Sequence, residues 1–230
     1  MTDIELVTKT QPDSFLAEAY RKICVWLSTS LQAGEGQRGR VILLTSALPR
    51  EGVSTTAANL AAAMAQNDRR TLLLEANFRN PVQMGVFQNA SVAQGKDSLG
   101  SYLAGEIDSL ETLGILENLW LLPAGRKLKH AETYLSGGRM RDLLEELRTQ
   151  YDCIFLDVPA VLPVPDAMVL AGLADEVVMV VSPGIEAPHV AMEAKKRLLK
   201  AGASLRGVVM NRVPHGFDSG YEDYEYYRKM

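Results

Sequence analysis

"VILLTSALPREGVSTTAANLAAAMA", residues 41–65, decides the fold class. Its first six residues, 41–46, form a short apolar run rich in β-formers, and an alanine-rich helical stretch, residues 55–66, follows. Between them, a turn carrying Gly52 opens on Ser54, Thr55 and Thr56. A strand, a tight glycine-bearing turn and a helix start together present backbone N–H groups and a helix dipole to an anion. Gly52 suits a backbone that approaches phosphate closely, and Ser54 or Thr55 offers the hydroxyl that a phosphate loop places on magnesium. The lysine that such a loop carries after its glycine is missing, because Val53 stands there. Arg50, three residues earlier, reads in three ways: as a replacement cation, as a side chain filling the phosphate pocket, or as an arginine facing solvent.

Five more apolar, β-rich runs follow, at residues 71–76, 119–124, 153–158, 176–182 and 207–213. Continuous apolar strands, rather than alternating ones, are what a parallel sheet covered on both faces requires. Helical stretches at 139–150 and 188–201 alternate with them. The pattern predicts one doubly wound α/β domain, a mostly parallel sheet flanked by helices, which binds ligands at the carboxyl ends of its strands. An N-terminal segment reads as helical from about Asp13, with Asp13 or Ser14 as its cap, and a polar link follows at 33–39. The expected division is an N-terminal helical segment over 1–38, the α/β domain over 39–217, and a tyrosine-rich tail over 218–230 that is expected to be mobile.

Composition bounds the partners. The chain has 230 residues, 47% hydrophobic and 23% charged, with a net charge of −4. That charge gives no reason to expect nucleic acid or an anionic membrane as a partner. Cys24 and Cys153 lie far apart in unlike contexts, so neither a disulfide nor a metal site is expected and the setting reads as reducing and cytoplasmic. No apolar run approaches the ~18 residues of a membrane span, so work at a membrane would need a partner. His130, His189 and His215 show no ligand spacing, and Lys195, Lys196, Arg197 and Lys200 complement the end of a helix dipole.

Seven segments, in order, carry a resemblance: "SFLAEAYRKI", "TSALPREGVSTTAANLAAAMAQ", "TLLLEANFRNP", "LGSYLAGEI", "NLWLLPAG", "YDCIFLDVPAVLPVPDAMVLAGLADEVVMVV" and "GVVMNRV", with a tyrosine cluster at the end. The chain resembles the bacterial tyrosine kinases of capsule and exopolysaccharide synthesis, relatives of the partition and septum-site ATPases with a P-loop NTPase fold. The resemblance implies ATP or ADP with Mg2+ as cofactors. It implies phosphate contacts at Gly52, Ser54, Thr55 and Arg50, a metal held by Ser54 and Asp157, and catalytic carboxylates at Asp157 and Glu75. The family pairs two aspartates where this chain has Glu75 and Asn77. Asn211 matches the residue that reads adenine in related ATPases, although a strand-end asparagine can equally satisfy local backbone. Glu18 and Arg21 keep part of the family's E-x-x-R-x-x-R self-assembly pattern, with Cys24 at the second arginine. Tyr221, Tyr224, Tyr226 and Tyr227 match the tail tyrosines that the family phosphorylates, each phosphate adding about −1.5 to −2 charge.

Val53, Arg50, Glu75 and Asn77 depart together from the family pattern. The function expected from the resemblance is that of a degenerate member regulating exopolysaccharide synthesis or export, with weak or absent ATP turnover. The alternatives are an active autokinase that phosphorylates its own tyrosine cluster, with Arg50 replacing the lysine, and a partition-type ATPase. The expected partner is a membrane-spanning polysaccharide co-polymerase or transmembrane activator, with an active kinase homologue or a second copy as further candidates. Such a partner would recruit the cytoplasmic chain to the inner face of the membrane.

Overall fold

The computed structural model describes residues 5–29, 38–87, 98–184 and 187–213. Helices α1 (Val7–Thr10) and α2 (Phe15–Ser28) precede strand β1 (Arg40–Ser46), which feeds α3 (Val53–Ala65). Strand β2 (Thr71–Glu75) leads to α4 (Gln83–Val86), α5 (Leu99–Leu103), β3 (Leu113–Leu116) and β4 (Leu119–Leu122). The chain continues through α6 (Ala131–Leu135), α7 (Gly138–Gln150), β5 (Cys153–Asp157) and α8 (Asp166–Ala171). It closes the sheet with β6 (Glu176–Val181), α9 (Pro188–Lys200) and β7 (Leu205–Met210).

The seven strands form one sheet in the order β3-β4-β2-β5-β1-β6-β7, parallel throughout except for the β3–β4 pair. This is the doubly wound α/β architecture that the apolar runs predict. β3 is an addition: Glu117 and Asn118 make a two-residue turn between it and β4, with Asn118 in the left-handed region at φ 58°. Asparagine tolerates that conformation, and the turn needs it.

Successive strand residues point to opposite faces, so each central strand feeds two cores. Val41, Leu43, Leu72, Leu74, Ile154 and Leu156 pack with Leu143, Leu144 and Leu147 of α7 and Leu170 of α8. On the other face, Ile42, Leu44, Leu73, Phe155, Val178 and Val180 pack with the alanines of α3. Small side chains let α3 lie close to the sheet, and it is buried from Thr56 to Ala65. α2 covers α3 with Ala17, Tyr20, Cys24 and Leu27. Asn59 of α3 ties in the N-terminus: its Oδ1 accepts from Val7 N–H at 2.9 Å and its Nδ2 donates to Glu5 O at 2.9 Å. Helices α1 and α2 therefore share one core with α3 and the sheet.

Ser14 caps α2, its hydroxyl accepting from Ala17 N–H at 3.1 Å. Further along that helix Glu18 and Arg21 form an ion pair at 3.0 Å, each more than a third exposed, while Cys24 is fully buried against Leu60 O. Each three-residue step rotates by about −60° on a helix of 3.6 residues per turn, so Cys24 has swung toward α3. Burial raises its thiol to about 12. No helix among the described residues is long and apolar enough to cross a membrane.

Candidate functional site

β1 lies inside the sheet between β5 and β6, and its carboxyl end opens into the loop before α3. The loop is held from below by the segment after β5: Thr45 Oγ1 donates to Pro159 O at 2.7 Å, and Val161 N–H donates to Ser46 O at 2.8 Å. Two of its residues are left-handed, Arg50 at φ 72° and Gly52 at φ 92°. Gly52 is required twice over, because a Cβ there would lie 2.1 Å from Asn211 Nδ2. Arg50 takes the left-handed conformation without the freedom of a glycine, and so carries backbone strain. A helix leaves its first N–H groups without intrahelical acceptors, so Val53, Ser54 and Thr55 present theirs to the loop. Val53 itself is half-buried and packs against the α3-side core, so no cation comes from that position.

Glu51, given no role in the sequence reading, braces the loop. It is fully buried, with Oε1 accepting from Leu48 N–H at 2.8 Å and Oε2 from Ser182 N–H at 3.0 Å. Its carbonyl accepts from Ser182 Oγ and Asn211 Nδ2, each at 2.9 Å. An acid beside a phosphate loop is informative in sequence only once its carboxylate is known to turn away. Asn211 is thus engaged with the loop backbone, and its Oδ1 accepts from Arg212 N–H at 3.0 Å. Arg212 reaches the same loop, donating to Arg50 O at 2.8 Å, whereas residue Arg50 is exposed.

The register sets Glu75 of β2 beside Asp157 of β5 at the ligand end of the sheet. Both are fully buried. Ser54 Oγ donates to Asp157 Oδ1 at 3.1 Å, bringing together the two side chains that the resemblance assigns to a metal. Asp157 Oδ2 accepts from Gln83 Nε2 at 2.6 Å. Glu75 faces elsewhere: Oε1 accepts from Val82 N–H at 2.5 Å and Gln83 N–H at 2.7 Å, and Oε2 from Ala124 N–H at 3.1 Å. Burial, reinforced by the nearby Asp157, raises the Glu75 carboxyl to about 7 against the pull of those N–H groups. Burial also raises Asp157, opposed by Gln83 and Ser54. Asn77 makes a local turn, its Oδ1 accepting from Asn80 N–H at 3.1 Å.

Arg79 completes the surroundings. Its guanidinium grips both oxygens of the buried Asp166 at 2.8 and 3.1 Å and touches Glu132 at 3.1 Å, fastening the loop after β2 to α8 and α6. Thr55 sits half-exposed on the first turn of α3, apart from the Ser54–Asp157 contact. Tyr221, Tyr224, Tyr226 and Tyr227 lie outside the described residues. Among the described residues no cluster of three or more His, Cys, Asp or Glu side chains could hold a metal. A hydroxyl and one carboxylate suit a hard cation that takes its other ligands from phosphate and water. The two buried carboxylates, whose charged forms burial disfavours, would be relieved by such a cation. The donor set therefore fits a divalent cation and a phosphate, but lacks the loop's usual lysine.

A sequence model of the AAA domain matches residues 42–206. The tyrosine-protein kinase YwqD of Bacillus subtilis is 31% identical over 229 residues, covering 96% of this chain and 90% of that protein. The succinoglycan biosynthesis transport protein ExoP of Rhizobium meliloti is 30% identical over 219 residues, covering 93% of this chain and 27% of that protein. Among solved structures, the chimerical protein CapA2B2 superposes with a TM-score of 0.80 at 28% identity, covering 91% of this chain and 90% of that one.

Proposed function

The chain belongs to the bacterial tyrosine-kinase family of capsule and exopolysaccharide synthesis, and from that premise we propose that it is a degenerate member with weak or absent ATP turnover. It acts as a regulator of polysaccharide synthesis or export. One observation carries this reading: the Glu75 carboxylate is engaged by three backbone N–H groups. With its oxygens turned onto the Val82, Gln83 and Ala124 N–H groups, that carboxylate faces away from the Ser54–Asp157 corner where a hydroxyl or metal would sit. Val53 adds to the loss, since a missing charge-assisted hydrogen bond to phosphate weakens binding by about 1.5–3 kcal/mol. Phosphoryl transfer depends on positioning and charge neutralisation, and both are reduced here.

The phosphate cradle itself is kept. Gly52, Ser54, Thr55 and Arg50 surround it, and Ser54 and Asp157 would hold the divalent cation of an ATP or ADP complex. That cation would supply the charge that neutralises the phosphates. Tyr221, Tyr224, Tyr226 and Tyr227 are substrates for an active kinase homologue, in a tail separated from the α/β domain near residue 218. ExoP is a succinoglycan biosynthesis transport protein by name, which supports a membrane-spanning polysaccharide co-polymerase as the partner. Recruitment to the inner face of the membrane follows from that partner, and Glu18 and Arg21 are the candidate contacts for self-association.

The test is incubation of the purified chain with Mg-ATP, followed by mass spectrometry of the tail peptide. No phosphotyrosine is expected, while calorimetry with ADP is expected to register weak binding. Robust autophosphorylation would overturn the reading. Its loss in Arg50→Ala would then establish the autokinase alternative, in which Arg50 replaces the lysine.

A further inference from the structure

Gln83 enters the cation corner from a third element. It opens α4, is fully buried, and its backbone N–H is fixed by Glu75 Oε1 at 2.7 Å. From there the carboxamide Nε2 donates to Ser54 O at 3.0 Å and to Asp157 Oδ2 at 2.6 Å. Ser54 Oγ occupies the other carboxylate oxygen at 3.1 Å. Both oxygens of Asp157 are thus engaged by protein donors. At the far end of the same amide, Oε1 is buried with no hydrogen-bond partner among the described residues.

That asymmetry matters. An amide placed for its own stability would satisfy both ends, since a buried unsatisfied acceptor is costly. Here one end is sacrificed so that the other can cap a buried carboxylate, supplying part of the positive charge that a cation would bring. A neutral amide does this less well than a divalent ion, so the contact can be displaced.

We propose that the Gln83 carboxamide is a built-in occupant of the cation corner, which a divalent cation must displace from Asp157 before it binds. Gln83 is then a positioning residue that sets the metal threshold of the site. This deepens the reading above and rests on Ser54 and Asp157 forming the cation corner. It does not depend on whether ATP is turned over.

The test uses the full chain and Mn2+, with free ion followed by electron paramagnetic resonance, with and without ADP. Gln83→Ala removes the occupant and is expected to tighten Mn2+ binding about 10- to 100-fold, the range for breaking a hydrogen bond to a charged group. Gln83→Met keeps most of the volume without the donor and should tighten binding in the same direction, which covers a failure of Gln83→Ala to fold. Equal affinity in wild type and variants, weaker binding in the variants, or no Mn2+ binding to any of them would overturn the proposal. Weaker binding in the variants would make Gln83 a ligand instead. The autophosphorylation assay is a separate readout, so tail phosphorylation with tightened Mn2+ binding would sink the degenerate reading alone.

Discussion

Replacing Gly52 with alanine strikes the loop at its most constrained point. The new Cβ would lie 2.1 Å from Asn211 Nδ2 and 3.4 Å from its Cγ, so the asparagine has to leave. Its departure removes the 2.9 Å hydrogen bond to Glu51 O, which keeps Ser182 Oγ as a second donor. That loss is worth about 1 kcal/mol. Alanine at φ 92° adds backbone strain of about 1–2 kcal/mol, for a total of roughly 2–3 kcal/mol. In a chain of this size that lowers the Tm by roughly 5–10 °C. Asn211→Ala alone should cost about 1 kcal/mol, for the hydrogen bond only. The double variant has no asparagine left to displace, so its cost should fall short of the sum of the singles by about 1 kcal/mol. Urea denaturation of the four proteins measures this cycle. A neutral Gly52→Ala, or strictly additive effects, would refute the contact as the reason for the glycine.

Glu75 makes stability depend on pH. Its carboxyl is raised from 4.5 to about 7 in the folded chain, so the folded state holds the proton more tightly than the unfolded one. Below pH 4.5 it is protonated in both states and carries no penalty; stability then falls as pH rises to about 7, by about 3 kcal/mol in all. Glu75→Gln should flatten that window in denaturation measured from pH 4.5 to 8, and profiles that stay parallel to wild type would count against it. Arg50→Gly should raise stability by up to about 1 kcal/mol in thermal melts, by releasing the left-handed strain at φ 72°. Arg79→Ala leaves Asp166 buried without its guanidinium and should cost about 2–3 kcal/mol, because the arginine is partly solvated. Adding Asp166→Asn should recover part of that loss in urea denaturation.

Much of the fold was legible because apolar strands and alanine-rich helices are local patterns. Each of the six anticipated runs overlaps a strand, β7 starting two residues before its run, and the helices at 139–150 and 188–201 lie within one residue of α7 and α9. β3 carries little sequence signal because a short edge strand has little burial, and that signal is confined to the Glu117-Asn118 turn. The resemblance assigns Ser54 and Asp157 to one metal, and in the structure the two side chains are hydrogen-bonded to each other. The brace at Glu51, the clamp of Arg79 on Asp166 and the place of Gln83 have no such assignment. Each of those side chains meets a partner at least 70 residues away or buries a charge whose direction no local pattern records.

The sequence by itself determined a strand, a glycine-bearing turn and a helix start in succession, with Val53 where a phosphate loop carries its lysine. Those are statements about residue type at fixed local spacing, where the backbone can go in few ways. Only the tertiary structure decided what the acidic groups do. β2 and β5 pair in parallel, so Glu75 and Asp157 arrive side by side, both fully buried, and each must find donors nearby. Glu75 finds three backbone N–H groups, and Asp157 finds Ser54 and Gln83. Burial makes those choices obligatory, because an unpaired carboxylate in the core costs far more than any local preference can repay.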